Sequence, residues 1–369
     1  FYRSRMAETI RLLFHLRQLF PKHYKRRDEN GWQQAPTLVS DYRFIKQSRK
    51  LPKRNKDILH AINEVVKNLK KDILKKSFSA LLHEKQKNYK KLTGNDFKLA
   101  NFQIKSSKRI LETLEEQNNE NNKKYLYKKG TLISAGTGGG KTSAFYFPAF
   151  AYIASSIVKN SNRNWMQCLS IYPRNELLKN QFREVYSEVR NFDNFLTNQN
   201  YRKIIIGALF GEIPENYYAL ENFVDENGNH TWKKRHEGYI CALLKCPDDN
   251  CEGDMVWPTG LKNNEEFLIC VDCSYRINED EIILTRRRMR KSPPDILFST
   301  TEMLNQNLSN VNYHKLFGVG KFPNNKPSLL LLDEVHTYNS FHGAQVSFLI
   351  KRWQKLIGSR MNYVGLSAT

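Results

Sequence analysis

Nowhere in the 369 residues does an apolar run reach the roughly 18 uninterrupted positions that a membrane-spanning helix requires. The nearest approach, residues 143–158, contains Pro148 and is too short. A buried core helix is expected there, and no membrane partner. A signal peptide is also missing from the N-terminus, so the chain is expected to be cytoplasmic. Cysteine is scarce, with only six in the chain, and in a reducing compartment these read as metal ligands or core fillers before disulfides. Acidic residues are short too: 37 Asp and Glu face 59 Lys and Arg, for a net charge of +22. Such a surplus points to a polyanionic partner, because clustered cations gain affinity for phosphates by releasing counterions.

The surplus is unevenly spread. Residues 1–130 hold 32 basic against 13 acidic side chains, and residues 131–369 hold 27 against 24. The first stretch is either a dedicated nucleic-acid face or a set of solvated basic helix faces. Hydrophobic residues at 40% and aromatics at 12% are enough for a packed interior. Apolar positions recur at helical spacing at Ile10, Leu13, Phe14, Leu16, Leu19 and Phe20, so residues 1–95 are expected to form a basic helical region. Polar, low-complexity EEQNNENNKKYLYKK (115–129) reads as a surface linker. The period then changes. TLISA (131–135), QCLSIYP (167–173), KIIIGALF (203–210), PDILFST (294–300), SLLLLDE (328–334) and YVGLSAT (363–369) are short apolar runs without polar alternation. They suit strands covered on both faces, and with helices between them they predict a doubly wound parallel sheet over residues 96–369. Ligands of such sheets bind at the carboxyl ends of the strands.

Two of those ends carry phosphate chemistry. TLISA runs into Gly136, Thr137, Gly138, Gly139, Gly140, Lys141 and Thr142 at the start of an apolar helix. Backbone N–H groups of such a turn wrap phosphate oxygens, aided by the positive end of the helix. Lys141 is expected to reach the β- and γ-phosphates of ATP, and the Thr142 hydroxyl to ligate Mg²⁺. The four-leucine strand ends in Asp333 and Glu334. An Asp there can hold Mg²⁺, and the adjacent Glu can orient and deprotonate an attacking water.

The strict phosphate-loop consensus has Gly where this chain has Ala135. AGTGGGKT (135–142) instead resembles motif I of superfamily 2 (DEAD/DEAH-box-like) helicases. In the same order, IYPRNELLKNQ (171–181) resembles their motif Ia, STTEMLN (299–305) motif Ic, DEVH (333–336) motif II and SAT (367–369) motif III. The resemblance implies a RecA-like ATP-binding domain in which Lys141, Asp333, Glu334 and His336 are catalytic and His336 contacts Ser367 and Thr369. It implies that Pro173, Arg174, Asn175, Thr300, Thr301 and Glu302 line the nucleic-acid path, with DNA favoured over RNA. Upstream, Phe102 and Gln103 resemble the adenine-reading Gln of many such enzymes; the other reading of Gln103 is an ordinary polar helix position. The family further implies a second RecA-like domain C-terminal to Thr369 that supplies the arginine finger, so this chain alone should turn ATP over poorly. A helicase or translocase is the leading reading; the rival is an ATP-switched clamp or scaffold subunit without processive unwinding. With its cysteine-bearing insertion the chain is also similar to large bacterial helicases of phage-defence islands, of the DISARM or deazaguanine-modification type, which brings defence-system proteins in as partners.

Lys141 and Asp333 lie 192 positions apart, whereas about three βα units of roughly 30 residues would join their strands. An insertion is therefore expected over residues 212–292. Within it, Cys246 and Cys251 are separated by four residues and Cys270 and Cys273 by two. Two close pairs can supply four thiolates to one tetrahedral Zn²⁺. Cys241 and His236 are nearby spares, and Cys168, in a strand, reads as core. The run Arg286, Arg287, Arg288, Arg290 and Lys291 leads into motif Ic and reads either as a phosphate-contacting patch or as a solvated loop. Purified protein should carry about one equivalent of zinc by elemental analysis. Replacing Cys270 and Cys273 with Ser should remove it and raise protease sensitivity between Gly211 and Pro293, with nucleotide binding retained. Stoichiometric metal in that double variant would mean that other ligands hold it.

Overall fold

The structure, a computed structural model, describes residues 51–369 apart from 118–129, Thr137, Asn162, 225–229, 236–237, Asp249, 261–264, 321–325 and Thr369. The helical reading of residues 1–50 and the linker at 118–129 lie outside the described residues.

A short ribbon opens the described chain, β1 (Arg54–Lys56) pairing antiparallel with β2 (Leu99–Ala100). Between and after these strands come α1 (Ile58–Val66), α2 (Asp72–Thr93) and α3 (Asn101–Gln117). Asp57 starts α1 by accepting the His60 N–H at 2.7 Å, satisfying one of the orphan donors of a helix start. Ile58, Val65, Leu74, Phe78, Leu81 and Leu82 are buried in the same apolar core as the sheet, and the compact unit containing that core runs from Leu51 to Thr369. Among the described residues, α1 and α2 thus have no separate core of their own.

β3 (Gly130–Ser134) leads into α4 (Lys141–Lys159), whose residues from Ala144 to Ala151 are all buried, as expected for the apolar run around Pro148. β4 (Cys168–Ile171), α5 (Asn175–Arg190), α6 (Asp193–Thr197) and β5 (Ile206–Leu209) follow. The chain then leaves the main sheet to form β6 (Lys234–Arg235), β7 (Gly238–Lys245), β8 (Asp254–Pro258), β9 (Leu268–Cys270) and β10 (Arg276–Ile277). It returns through β11 (Ile282–Ile283), α7 (Arg286–Lys291), β12 (Ile296–Ser299), α8 (Thr301–Leu308), β13 (Leu329–Leu332), α9 (Ser340–Ile357) and β14 (Asn362–Ser367).

Seven strands form one sheet in the order β11-β5-β12-β4-β13-β14-β3, every pairing parallel. This is the expected RecA-like, doubly wound arrangement, and each of the six predicted runs is a strand of it. The seventh, β11, was not foreseen, because two residues are too few to show a pattern. Its pairing of Ile282 with Ile206 and Ile283 with Gly207 returns the chain to the main sheet. The insertion itself is a five-stranded antiparallel sheet, β10-β9-β8-β7-β6.

One buried carboxylate fixes how three strands start. Asp295, 1% exposed, precedes β12 and accepts from Arg202 at 2.6 and 2.8 Å, from the Gln167 amide at 3.0 Å and from the Ile205 N–H at 2.9 Å. Gln167 and Ile205 are the residues before β4 and β5, so the carboxylate sets the stagger of β4, β12 and β5. Removing one partner of a buried ion pair leaves the other uncompensated. Asp295→Ala should therefore lower stability by about 3 kcal/mol, measured as a shift in the denaturant midpoint; a shift below a third of that would leave the carboxylate without this role.

Candidate nucleotide and metal sites

The turn from β3 into α4 brings Ala135, Gly136, Gly138, Gly139 and Gly140 over the helix start. Thr137 lies outside the described residues. Gly140 caps α4 at φ +86°, a left-handed conformation that costs a side-chain-bearing residue. A Cβ there would also stand 2.7 Å from Gln103 Nε2 and 3.0 Å from Arg54 Nη2, so the loop is roofed by the segment ahead of the sheet. The Gln103 side chain joins the two: its Oε1 accepts from Ala100 N–H at 2.8 Å and its Nε2 donates to the Gly140 carbonyl at 3.0 Å. Gln103 is 3% exposed, and α3 carries it to the loop rather than to solvent. The Ala135 N–H donates to the Ser367 carbonyl at 3.3 Å, which ties the loop to the end of β14.

Lys141 Nζ is buried and has no hydrogen-bond partner among the described residues. A buried ammonium without partners is costly, and a loop of backbone donors around it fits a polyanion. Thr142 donates its hydroxyl to Gln181 Oε1 at 3.0 Å.

Asp333 stands at the end of β13, 6% exposed, its N–H donating to the Ile171 carbonyl at 3.0 Å. Burial pushes its carboxyl up to about 6, with the neighbouring Glu334 charge acting in the same direction and Lys141 opposing both. Glu334 adopts φ +46°, uncommon for a residue with a side chain. Its carbonyl is held by the N–H and hydroxyl of Thr337, both at 2.8 Å. His336 Nδ1 lies 3.3 Å from Glu334 Oε2 and 3.3 Å from Ser367 Oγ. The structure thus brings together His336 and Ser367; Thr369 lies outside the described residues. Thr142 and Asp333 are the side chains that could hold Mg²⁺.

Pro173, Arg174 and Asn175 lie where β4 passes into α5, and Thr300, Thr301 and Glu302 where β12 passes into α8. Because β12 and β4 are paired neighbours, both groups occupy the same carboxyl edge. Thr300 caps α8 by accepting the Met303 N–H at 3.3 Å, so its hydroxyl already has an internal task. Beside them a cavity of about 700 Å³ opens between α8 and α9, lined in part by Thr301, Glu302, Asn305, His342, Phe348 and Arg352.

Three arginines of the run after the insertion have internal partners. Arg286 donates to the carbonyls of Ile213 at 2.8 Å and of Phe210 and Gly211 at 3.2 Å. Arg288 pairs with buried Glu266 at 3.1 Å and donates to the carbonyls of Ile282 and Glu279. Arg290 pairs with Glu215 and lies over the Tyr313 ring. Only Arg287 and Lys291 of the five are exposed. The return of the insertion uses the guanidinium groups of Arg286, Arg288 and Arg290 as internal clamps.

Cys246, Cys251, Cys270 and Cys273 place their Sγ atoms within 4.8 Å of one another. The closest approaches, Cys246–Cys273 at 3.4 Å and Cys251–Cys270 at 3.6 Å, are far longer than a disulfide. Tetrahedral sulfurs about 2.3 Å from a zinc ion stand roughly 3.8 Å apart, so the cluster is compatible with one Zn²⁺. Backbone N–H groups of Gly253 and Asp272 point at Cys251 and Cys270, each at 3.4 Å, and would offset thiolate charge. Cys241 stays outside the cluster, buried in β7 with its thiol pushed up to about 11 by burial. His236 lies outside the described residues. Cys168 is buried in β4, its thiol raised by burial to about 12, an inert core position.

No helix among the described residues is long and apolar enough to cross a membrane.

The raised Asp333 carboxyl has a consequence for stability. Its unfolded value is near 3.8 and its folded value about 6, so the folded chain favours the neutral acid. The penalty of ionising it in place is complete above pH 6 and fades as pH falls toward 4. In EDTA at pH 8, Asp333→Asn should therefore be more stable than the wild type by on the order of 2 kcal/mol. Denaturation at pH 8 and pH 4 checks this; a gain that does not shrink at pH 4 would assign it to something other than the charge.

Comparison with known proteins finds similarity over parts of the chain. Residues 120–208 match the DEAD/DEAH box helicase family. Druantia protein DruE of Escherichia coli (strain UMEA 4076-1) is 23% identical over 253 residues, which is 60% of this chain and 14% of that protein. Among solved structures, DUF1998 helicase MrfA bound to DNA and AMPPNP aligns with TM-score 0.43 and 14% identity over 87% of this chain and 28% of its own. Mycobacterium smegmatis helicase Lhr bound to ssDNA and AMP-PNP aligns with TM-score 0.39 and 17% identity over 73% and 25%. The chain thus spans a small part of these relatives. The family match lies across the phosphate loop and the first strands of the parallel sheet, so this stretch of the chain is similar to a DEAD/DEAH box helicase.

Proposed function

We propose that this domain is the ATP-binding half of an ATP-driven DNA helicase or translocase, completed by a second RecA-like domain. The observation that carries the reading is the buried, unpartnered Lys141 ammonium at the mouth of a glycine loop, with Asp333 near enough to feel its charge. That combination answers to a phosphate chain and its cation. In this reading the loop from Ala135 to Thr142 holds the phosphates of ATP, and Gln103, already bonded to Gly140, lies beside the adenine. Thr142 and Asp333 hold Mg²⁺, which neutralises phosphate charge when bound. Glu334 takes the proton of the attacking water. His336, between Glu334 and Ser367, connects hydrolysis to the end of β14. Nucleic acid runs along the shared edge of Pro173–Asn175 and Thr300–Glu302, and Arg287 reaches toward its phosphates. The zinc cluster serves as a structural pin of the insertion. A role in anti-phage defence, with protein partners from such a system, follows from the sequence resemblance; the bacterial relative DruE is the comparison that bears on it.

In the full-length protein, ATP turnover should rise on adding DNA and respond less to RNA of the same sequence. Glu334→Gln should keep nucleotide binding and slow hydrolysis at least about 100-fold, because an amide cannot accept the proton of the attacking water. Unchanged turnover in that variant would remove Glu334 from the chemistry. DNA-stimulated turnover without strand displacement or movement along a track would favour a clamp over a motor.

A further inference from the structure

Thr142 donates its hydroxyl hydrogen to Gln181 Oε1 at 3.0 Å. Gln181 stands on α5, and its amide nitrogen donates in turn to Glu184 Oε2 at 3.2 Å, one turn further along the same helix. A threonine hydroxyl has one hydrogen and two lone pairs, and a carboxamide has one accepting and one donating end. Which end meets Thr142 therefore decides what the hydroxyl can do. With the NH₂ end toward it, the hydroxyl would accept and lose a lone pair. A carboxylate only accepts, so Glu184 draws the NH₂ end to itself and turns Oε1 toward Thr142. The hydroxyl hydrogen is then committed to Gln181, and its lone pairs are left to face the loop.

We infer that Gln181, oriented by Glu184, is a positioning residue that holds the Thr142 hydroxyl in the donor sense and so keeps its lone pairs for the Mg²⁺ that accompanies a bound nucleotide. The inference rests on the reading of residues 135–142 as a nucleotide site. It makes α5, whose N-terminal end follows Pro173 and Arg174, a direct neighbour of the metal ligand. A residue that merely packed the loop would affect nucleotide affinity with and without metal alike. A residue acting through the Thr142 lone pairs affects only the part that Mg²⁺ adds.

The test is equilibrium binding of a fluorescent ADP analogue to the 369-residue chain, in EDTA and in saturating Mg²⁺, followed by fluorescence. Mg²⁺ should tighten binding to the wild type. Gln181→Leu should forfeit about fivefold of that tightening, the scale of one hydrogen bond, with affinity in EDTA unchanged. Glu184→Gln, which lets the amide turn over, should lose less in the same direction. In a Thr142→Val background, Gln181→Leu should change nothing further, since the two act through one hydroxyl. Thermal unfolding shows whether each variant is folded; were Gln181→Leu not to fold, Glu184→Gln decides the matter alone. A full Mg²⁺ increment in the folded variants, or equal losses in EDTA and Mg²⁺, would overturn this inference and leave the nucleotide reading standing. A wild type that binds the analogue under neither condition would overturn that reading, and this inference with it.

Discussion

The parallel ladders joining β3 to β14 and β14 to β13 end with Ser134 beside Ser367 and Leu332 beside Gly365. That register brings the start of the glycine loop and the acidic pair to one edge of the sheet with a single strand between them. A slip of one residue in a fully covered parallel sheet would turn every side chain to the opposite face. The geometry of the site depends on this pairing more than on any contact within the site. Gly365 shows how tight the arrangement is: a Cβ there would come within 2.9 Å of Val335 Cγ1, so the turn after β13 folds down onto β14 only because glycine leaves room.

The same geometry places charge where water is scarce. Lys141 Nζ has no hydrogen-bond partner among the described residues, Asp333 is buried with its carboxyl raised, and Glu334 holds an uncommon backbone conformation. Each of these costs stability in the free protein. Close packing beneath the site over-determines the arrangement: Tyr146 on α4 and Tyr172 after β4 share a buried hydroxyl contact of 2.8 Å, and Phe298 of β12 stacks on both rings. A polyanion with its cation would relieve these costs together.

The insertion is held differently. Its small antiparallel sheet carries the four-cysteine cluster at one end and, at the other, carboxylates that reach the main domain. Glu266 accepts from Leu284 N–H at 2.7 Å and from Arg288, and Glu281 accepts from Tyr186 at 2.7 Å and from Lys203 at 2.5 Å. These clamps explain why a basic run beside motif Ic is largely internal. Charge on one side of a peptide stretch is visible in the residue order, but the carboxylates that neutralise it come from up to 75 positions away.

Much of this was determined by the residue order itself. Six uniformly apolar runs require strands covered on both faces, and only a parallel sheet with helices on both sides covers them. The glycine loop, Asp333 and Glu334 then fall at strand ends by spacing alone. Two close cysteine pairs mark a four-cysteine cluster, because local spacing limits how far Sγ atoms can separate. Tertiary structure alone decided the rest. β11 is two residues long and exists only because β5 offers it an edge. Gln103 reaches the loop because α3 lies against α4, a relation that a long intervening linker hides. Gln181 meets Thr142 from 39 positions away, and the inward turn of Arg286 and Arg288 depends on carbonyls and a carboxylate brought near by folding. Periodicity and spacing report interactions within a turn or a strand; pairings between distant polar groups are settled by which surfaces pack, and that is a property of the folded chain.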